Sequence, residues 1–155
     1  MTIKNYKISI ITVVKNSEKT IEKTIKSIID QTYKNYQYIV IDGGSTDNTL
    51  EILQNYKTKI DILVSNKDDG IWDAMNKSLQ YVTGDIVGFL NSDDFYYNNA
   101  LECVNKYFNN HNINFLFGSV EKYKLMHGFK PSIIDWSFGF YLSLIHISEP
   151  TRQEA

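Results

Sequence analysis

The sequence predicts an α/β domain built on a mostly parallel sheet with helices on both faces. Three observations carry this expectation. Short, β-branched apolar runs alternate with stretches of helical periodicity along the chain. The first run, Ile8–Val14, is apolar almost throughout, as in a strand buried on both faces. A polar, turn-forming cluster follows each of the first four runs: "KNS", "DGGSTD", "NKDDG" and "NSDD".

The elements follow in order. After Ile8–Val14, Ser17–Asp30 carries Ile21, Ile25, Ile28 and Ile29 at spacings of four, seven and eight, an amphipathic helix. Tyr36–Ile41 is a second strand. The turn "DGGSTDN" offers Ser45 or Thr46 as the cap of a short helix marked by Leu50, Leu53 and Tyr56. Ile60–Ser65 is a third strand. Ile71–Val82 is a helix that uses Ile71, Met75, Leu79 and Val82, with Gly84 just past its end. Ile86–Leu90 is the fourth strand, Asn98–Phe108 a helix and Phe115–Val120 a further strand. In such sheets ligands bind beyond the carboxyl ends of the strands, so the four polar loops should meet on one rim.

Composition bounds the function. The 155 residues are 43% apolar, enough for one domain with a sizeable core. A net charge of −2 gives no electrostatic footprint for nucleic acid. The single cysteine, Cys103, falls within an apolar helix face and reads as core; no disulfide framework exists. No apolar run approaches the roughly 20 residues of a membrane span. A reducing, cytoplasmic setting is expected, with peripheral contact at the cytoplasmic membrane face.

The sharpest motif is "NSDD", Asn91–Asp94, at the end of an apolar strand. Two carboxylates about 4 Å apart repel by roughly 4 kcal/mol at an effective dielectric near 20. Water or a cation must offset that. Carboxylates are hard oxygen ligands suited to Mg2+ or Mn2+, and such a cation could bridge a diphosphate. The plainer alternative is a solvated turn in which Asp93 caps the next helix. In "IDGGSTDNT", Asp42 sits directly after a strand, where an acid can accept from a ribose hydroxyl or a base N–H; tight-turn chemistry is the alternative. Neither G-x-G-x-x-G nor G-x-x-x-x-G-K-[ST] is present at this turn, which argues against a dehydrogenase and a P-loop NTPase. In "NKDDGIWDAMNKS", Asp69 suits a helix start, whereas Asp73 and Asn76 interrupt the apolar pattern.

Taken together and in this order, "ISIITVVKNSEKTIEKTIKSIIDQTYKNYQYIVIDGGSTDNT", "DDGIWDAMNKS" and "TGDIVGFLNSDD" resemble the family 2 glycosyltransferases. The resemblance implies a GT-A-type, Rossmann-like three-layer domain, C-terminally truncated. It implies inverting, metal-dependent transfer of a sugar from a nucleotide-sugar donor, a UDP-sugar, to a glycan or lipid-linked acceptor in polysaccharide biosynthesis. Donor binding would fall to Thr12, Val13, Val14, Asp42, Gly43, Gly70, Asp73, Asn76, Asn91 and Ser92. Asp93 and Asp94 match the Asp-x-Asp motif and would hold Mg2+ or Mn2+. Two departures stand out. Asn91 replaces the motif's first acid, and Asp42-Gly43 stands where many relatives carry two acids, which leaves the nucleobase open. The family's general base comes from the C-terminal half; Asp135 is the candidate in this chain. A nucleotide-sugar-binding fragment without turnover is the alternative function. A nucleotidyltransferase of the same fold would want a glycine- and basic-rich loop where this chain has "VVKNSEKT".

The end of the chain reads differently. "LSLIHISEPTR", Leu142–Arg152, resembles the in-frame translation of a transposase-type sequencing adapter, and it holds the sole arginine and one of the two prolines. The expectation is residues 1–141 as the nucleotide-sugar-binding part and Leu142–Ala155 as a non-native tail. "LSLIHI" as a genuine strand is the alternative; codons that differ from the adapter's would decide for it.

Overall fold

The computed structural model describes residues 3–116 in full and the backbone of 121–122, 132–133 and 144–146. Four parallel strands form the centre of the sheet: β1 (Ile8–Val14), β2 (Tyr36–Asp42), β3 (Ile62–Ser65) and β4 (Ile86–Phe89). Their order is β3-β2-β1-β4. Interleaved are α1 (Ile21–Ile29), α2 (Thr49–Asn55), α3 (Ile71–Ser78) and α4 (Ala100–Asn110).

The period of two along β1 sorts the core into two layers. Ile8, Ile10 and Val14 pack in one cluster with Ile21, Ile25 and Ile28 of α1, Leu53 of α2, and Leu101, Val104 and Phe108 of α4. Ile11 and Val13 pack in the other, with Ile39, Ile41 and Ala74 of α3. Both faces of the sheet are thus covered, the three-layer arrangement expected from the unbroken apolar strands.

Several boundaries shift for local reasons. Ser17–Thr20 forms a turn whose Ser17 carbonyl accepts from Thr20 and Ile21, so α1 proper starts at Ile21. β3 starts at Ile62 because the Asp61 carboxylate takes the Tyr38 N–H at 2.7 Å, where a strand carbonyl would otherwise bond. α2 begins beyond Ser45 and Thr46: Asn48 holds the cap position, and Asp47 Oδ1 accepts the Thr49 N–H at 3.0 Å. α3 tightens into a 3-10 turn over Leu79–Tyr81. Gly84 is not a helix cap; it lets β4 pass close to β1. A Cβ there would lie 2.7 Å from the Lys7 carbonyl and from Ser9 N and Oγ. Cys103 is exposed on α4, since the buried stripe runs through Leu101, Val104 and Phe108.

Short strands complete the sheet. β5 (Phe115–Leu116) confirms the start of the predicted fifth strand; 117–120 lie outside the described residues. β6 (Glu121–Lys122) pairs antiparallel with β7 (Ser132–Ile133). β8 (Leu144–His146) runs antiparallel between β4 and β5, with Gly88 opposite Leu144. This is the only described part of the segment read as foreign; the rest of Leu142–Ala155 lies outside. A β-prone apolar stretch beside an unpaired strand edge makes such a ladder whatever its origin, because the ladder uses backbone groups alone. Asp135 also lies outside the described residues.

Candidate functional site

The register sets the carboxyl ends of three strands side by side: Val14 is opposite Asp42, and Asp42 opposite Ser65. The loops beyond them are tied together. Asn16 adopts the left-handed region, φ 51°; its N–H donates to Ser45 Oγ at 2.8 Å, and its Oδ1 accepts the Thr46 N–H at 2.8 Å. Ser17 N–H donates to Thr49 Oγ1 at 2.7 Å, and Glu18 N–H to Asp47 Oδ2 at 3.2 Å. Ser17 Oγ and Ser92 Oγ share a hydrogen bond of 2.9 Å, which brings the loop after β4 to the loop after β1. The convergence expected from the sequence is therefore present.

Asp93 and Asp94 project as exposed neighbours in the turn after β4. The turn is pinned from below by α1. Thr24, fully buried, donates from Oγ1 towards the carbonyls of Ser92 and Asp94 at 3.0 and 2.7 Å. Ser27 Oγ accepts the Tyr96 N–H, and Gln31 bonds the Tyr97 carbonyl and the Leu101 N–H. Sequence reasoning missed these three. The signal was a polar stripe at 24, 27 and 31 beside the apolar one, which reads as solvent-facing until a loop is known to cover it. Tyr96 is buried in the core and Tyr97 is exposed, so only the second could meet a ligand.

One-sided shielding and the charge of Asp93 raise the Asp94 carboxyl above its ordinary 3.8, against a lowering hydrogen bond from Asn91 Nδ2. A raised carboxyl disfavours the fold when ionised. Stability is then fullest below the unfolded value and falls as pH rises through the folded one. Asp94→Asn should raise the unfolding midpoint of the metal-free protein at pH 7 by roughly 1–2 °C, with no gain below about pH 3. Paired thermal melts at the two pH values check this; an equal effect at both refutes it.

The pair suits a divalent cation in donor chemistry. Both side chains offer hard oxygens, their mutual repulsion calls for a counter-charge, and Asn91 is near enough to orient Asp94. Among the described residues no group of three or more His, Cys, Asp or Glu side chains forms a metal site. Two carboxylates with the remaining positions left to phosphate oxygens and water is the pattern Mg2+ favours.

The other predicted residues separate into buried and open. Thr12, Val13 and Val14 are buried at the strand end, and the Tyr38 hydroxyl donates to Thr12 Oγ1 at 3.2 Å. Asp42 is fully buried. Its Oδ1 accepts from Ser45 Oγ, its Oδ2 accepts the Ser65 hydroxyl at 2.6 Å, and the Ser45 N–H reaches both oxygens at 3.2–3.3 Å. Gly43 is also buried. Gly70 precedes α3 at φ 114°, a conformation glycine adopts without strain. Asp73 is ion-paired with Lys77 and accepts the Asp69 N–H, which holds its carboxyl below the ordinary range, Lys77 being the larger cause. Asn76 is exposed. The structure thus brings Ser92, Asp93 and Asp94 to the first loop and leaves Asp73 in a helix-surface ion pair.

A parallel sheet whose strand ends gather polar loops, with an exposed acidic pair beside them, defines an α/β domain of the nucleotide-binding type. The chain belongs to glycosyl transferase family 2, whose family model matches residues 9–152. The UDP-Glc:α-D-GlcNAc-diphosphoundecaprenol β-1,3-glucosyltransferase WfgD of Escherichia coli is 36% identical over 118 residues, covering 76% of this chain and 47% of WfgD. The cholesterol galactosyltransferase of Borreliella burgdorferi is 33% identical over 104 residues, covering 66% of this chain and 29% of that protein. Among solved structures, S. aureus TarS 1-349 in complex with UDP-GlcNAc superposes with a TM-score of 0.66 at 27% identity, covering 70% of this chain and 33% of that one. The same TarS segment is also known in complex with UDP, with a TM-score of 0.65 at 29% identity. The chain spans about half the length of WfgD and less of the others. Among the described residues no helix is long and apolar enough to cross a membrane.

Proposed function

We propose that the chain forms the donor-binding part of a glycosyltransferase that takes a UDP-sugar and transfers the sugar, with inversion, to a glycan or lipid-linked acceptor. The observation that carries this is the exposed Asp93–Asp94 pair, fixed by Thr24 and Ser17 at the rim where the loops after β1, β2 and β4 meet. Asp93 and Asp94 would hold Mg2+ or Mn2+, with Asn91 and Ser92 shaping the turn. When bound, that cation supplies positive charge against a diphosphate leaving group. The loops after β1 and β2 exclude water from the nucleotide side, and Gly70 and Asn76 flank the donor at the start of α3. Inverting transfer is a single displacement, and it needs a base for the acceptor hydroxyl. Asp135 is the candidate base. The acceptor class rests on the kinship with WfgD and places the protein at the cytoplasmic membrane face.

Titration of UDP and of UDP-sugars with and without Mn2+, followed by an assay of UDP release, tests the reading. Metal-dependent binding with release upon addition of acceptor supports a transferase. Metal-dependent binding without release supports a donor-binding part that lacks turnover, a reading favoured by the 47% coverage of WfgD. Failure to bind any nucleotide removes both.

A further inference from the structure

We propose that Asp68, from the loop after β3, is the carboxylate that reads the nucleobase, and that Asp42 instead holds the rim together. The inference rests on the donor reading above and refines the same site. Asp42 stands where an acid is expected to contact the nucleoside, yet its side chain is 0% exposed. Both of its oxygens are already taken by Ser45 and Ser65. A ligand could reach it only by breaking bonds that join β2, β3 and the glycine turn. Such a buried, fully bonded carboxylate is a structural brace.

The next position explains where the free carboxylate went. A Cβ on Gly43 would overlap Asp68 Oδ2, with Asp68 Cγ at 2.9 Å and Oδ1 at 3.0 Å. The Asp68 carboxyl therefore fills the space a side chain at 43 would occupy. Gly43 is glycine because Asp68 is there, and the second acid of this corner arrives from a different loop. Asp68 Oδ1 accepts the Gly70 N–H at 3.1 Å, which fixes the rotamer. Among the described residues Oδ2 accepts no hydrogen bond, and Asp68 is only half-buried.

One fixed oxygen and one free oxygen make a directional acceptor. A ribose diol presents two donors and would call for both oxygens. A single ring N–H flanked by carbonyls, as at N3 of uracil, matches one. Cytosine has an acceptor nitrogen at the same ring position and would face the carboxylate with like polarity. Asp68 therefore selects uracil over cytosine by the polarity of one atom.

The test measures UDP and CDP affinities of the full chain in Mn2+ by calorimetry. The wild type should prefer UDP. In Asp68→Asn the Gly70 N–H keeps the side-chain oxygen, so the amide NH2 takes the place of Oδ2 and meets the uracil N–H donor to donor. The UDP-over-CDP preference should then fall by roughly tenfold or more. Gly43→Ala, which displaces Asp68, should lower the preference in the same direction. Asp42→Asn should leave the ratio unchanged where it folds. If Asp68→Asn weakens both nucleotides equally, Asp68 is only a turn residue and the proposal is overturned. A wild type that binds UDP and CDP alike overturns it too, while the donor reading survives. Binding of neither nucleotide ends both.

Discussion

Asp93→Asn combined with Asp94→Asn should abolish the metal dependence of UDP binding. In Mn2+ the wild type is expected to hold UDP roughly 100-fold more tightly than in chelator, about 3 kcal/mol. The double variant should bind at the chelator level in both conditions. The reason is local. These two side chains are the exposed hard-oxygen donors of the turn after β4, and among the described residues no cluster of three ligands could substitute. The turn should survive the change, because it is held by Thr24 Oγ1 through main-chain carbonyls and by Ser17 through Ser92. Removing two like charges should if anything raise the melting temperature, which separates lost ligation from lost fold. Retention of the Mn2+ effect in the double variant would show that the cation is held elsewhere.

Gly84→Ala should produce the largest stability loss of any single methyl addition at the sheet. The new Cβ would meet the Lys7 carbonyl and the Ser9 backbone nitrogen, both at 2.7 Å. Backbone of a central strand cannot move aside as a flexible side chain can. Lys7 O also accepts the Asp85 and Ile86 N–H groups at 2.7 and 3.2 Å, the bonds that start the β1–β4 ladder. Gly84 N–H donates to Ser9 Oγ, which in turn donates to the buried Gln37 Oε1. Overpacking alone costs about 1–3 kcal/mol, and loosening these bonds brings the loss to about 3 kcal/mol. The melting midpoint should drop by roughly 6–12 °C. An unchanged midpoint would mean that the strand pair adjusts freely and that glycine is not required there.

Much of the fold was legible because strand and helix periods differ. The apolar run at Ile8–Val14 and the isoleucines of α1 could be placed without coordinates, and both faces of β1 proved buried. Boundaries were less legible where side chains replaced backbone partners. Asp61 takes the Tyr38 N–H and shortens β3, while Asp47 takes the Thr49 N–H and moves the start of α2 past Ser45. Ser45 was free to be read as a cap because its true partner, Asp42, is a tertiary choice between equally plausible acceptors.

The sequence by itself determined the alternating α/β pattern, the four polar loops after four strands, and the acidic pair at Asp93 and Asp94. Periodicity and turn chemistry are local properties, so composition and spacing carry them. Tertiary structure alone decided which polar groups spend their hydrogen bonds inside the protein. It closed Asp42 against Ser45 and Ser65, sank Thr24 and Gln31 beneath the acidic turn, and laid Asp68 over Gly43. Burial of a polar side chain is favourable only when partners from distant segments satisfy it. Here those partners lie on neighbouring strands and loops, and only the folded register brings them together.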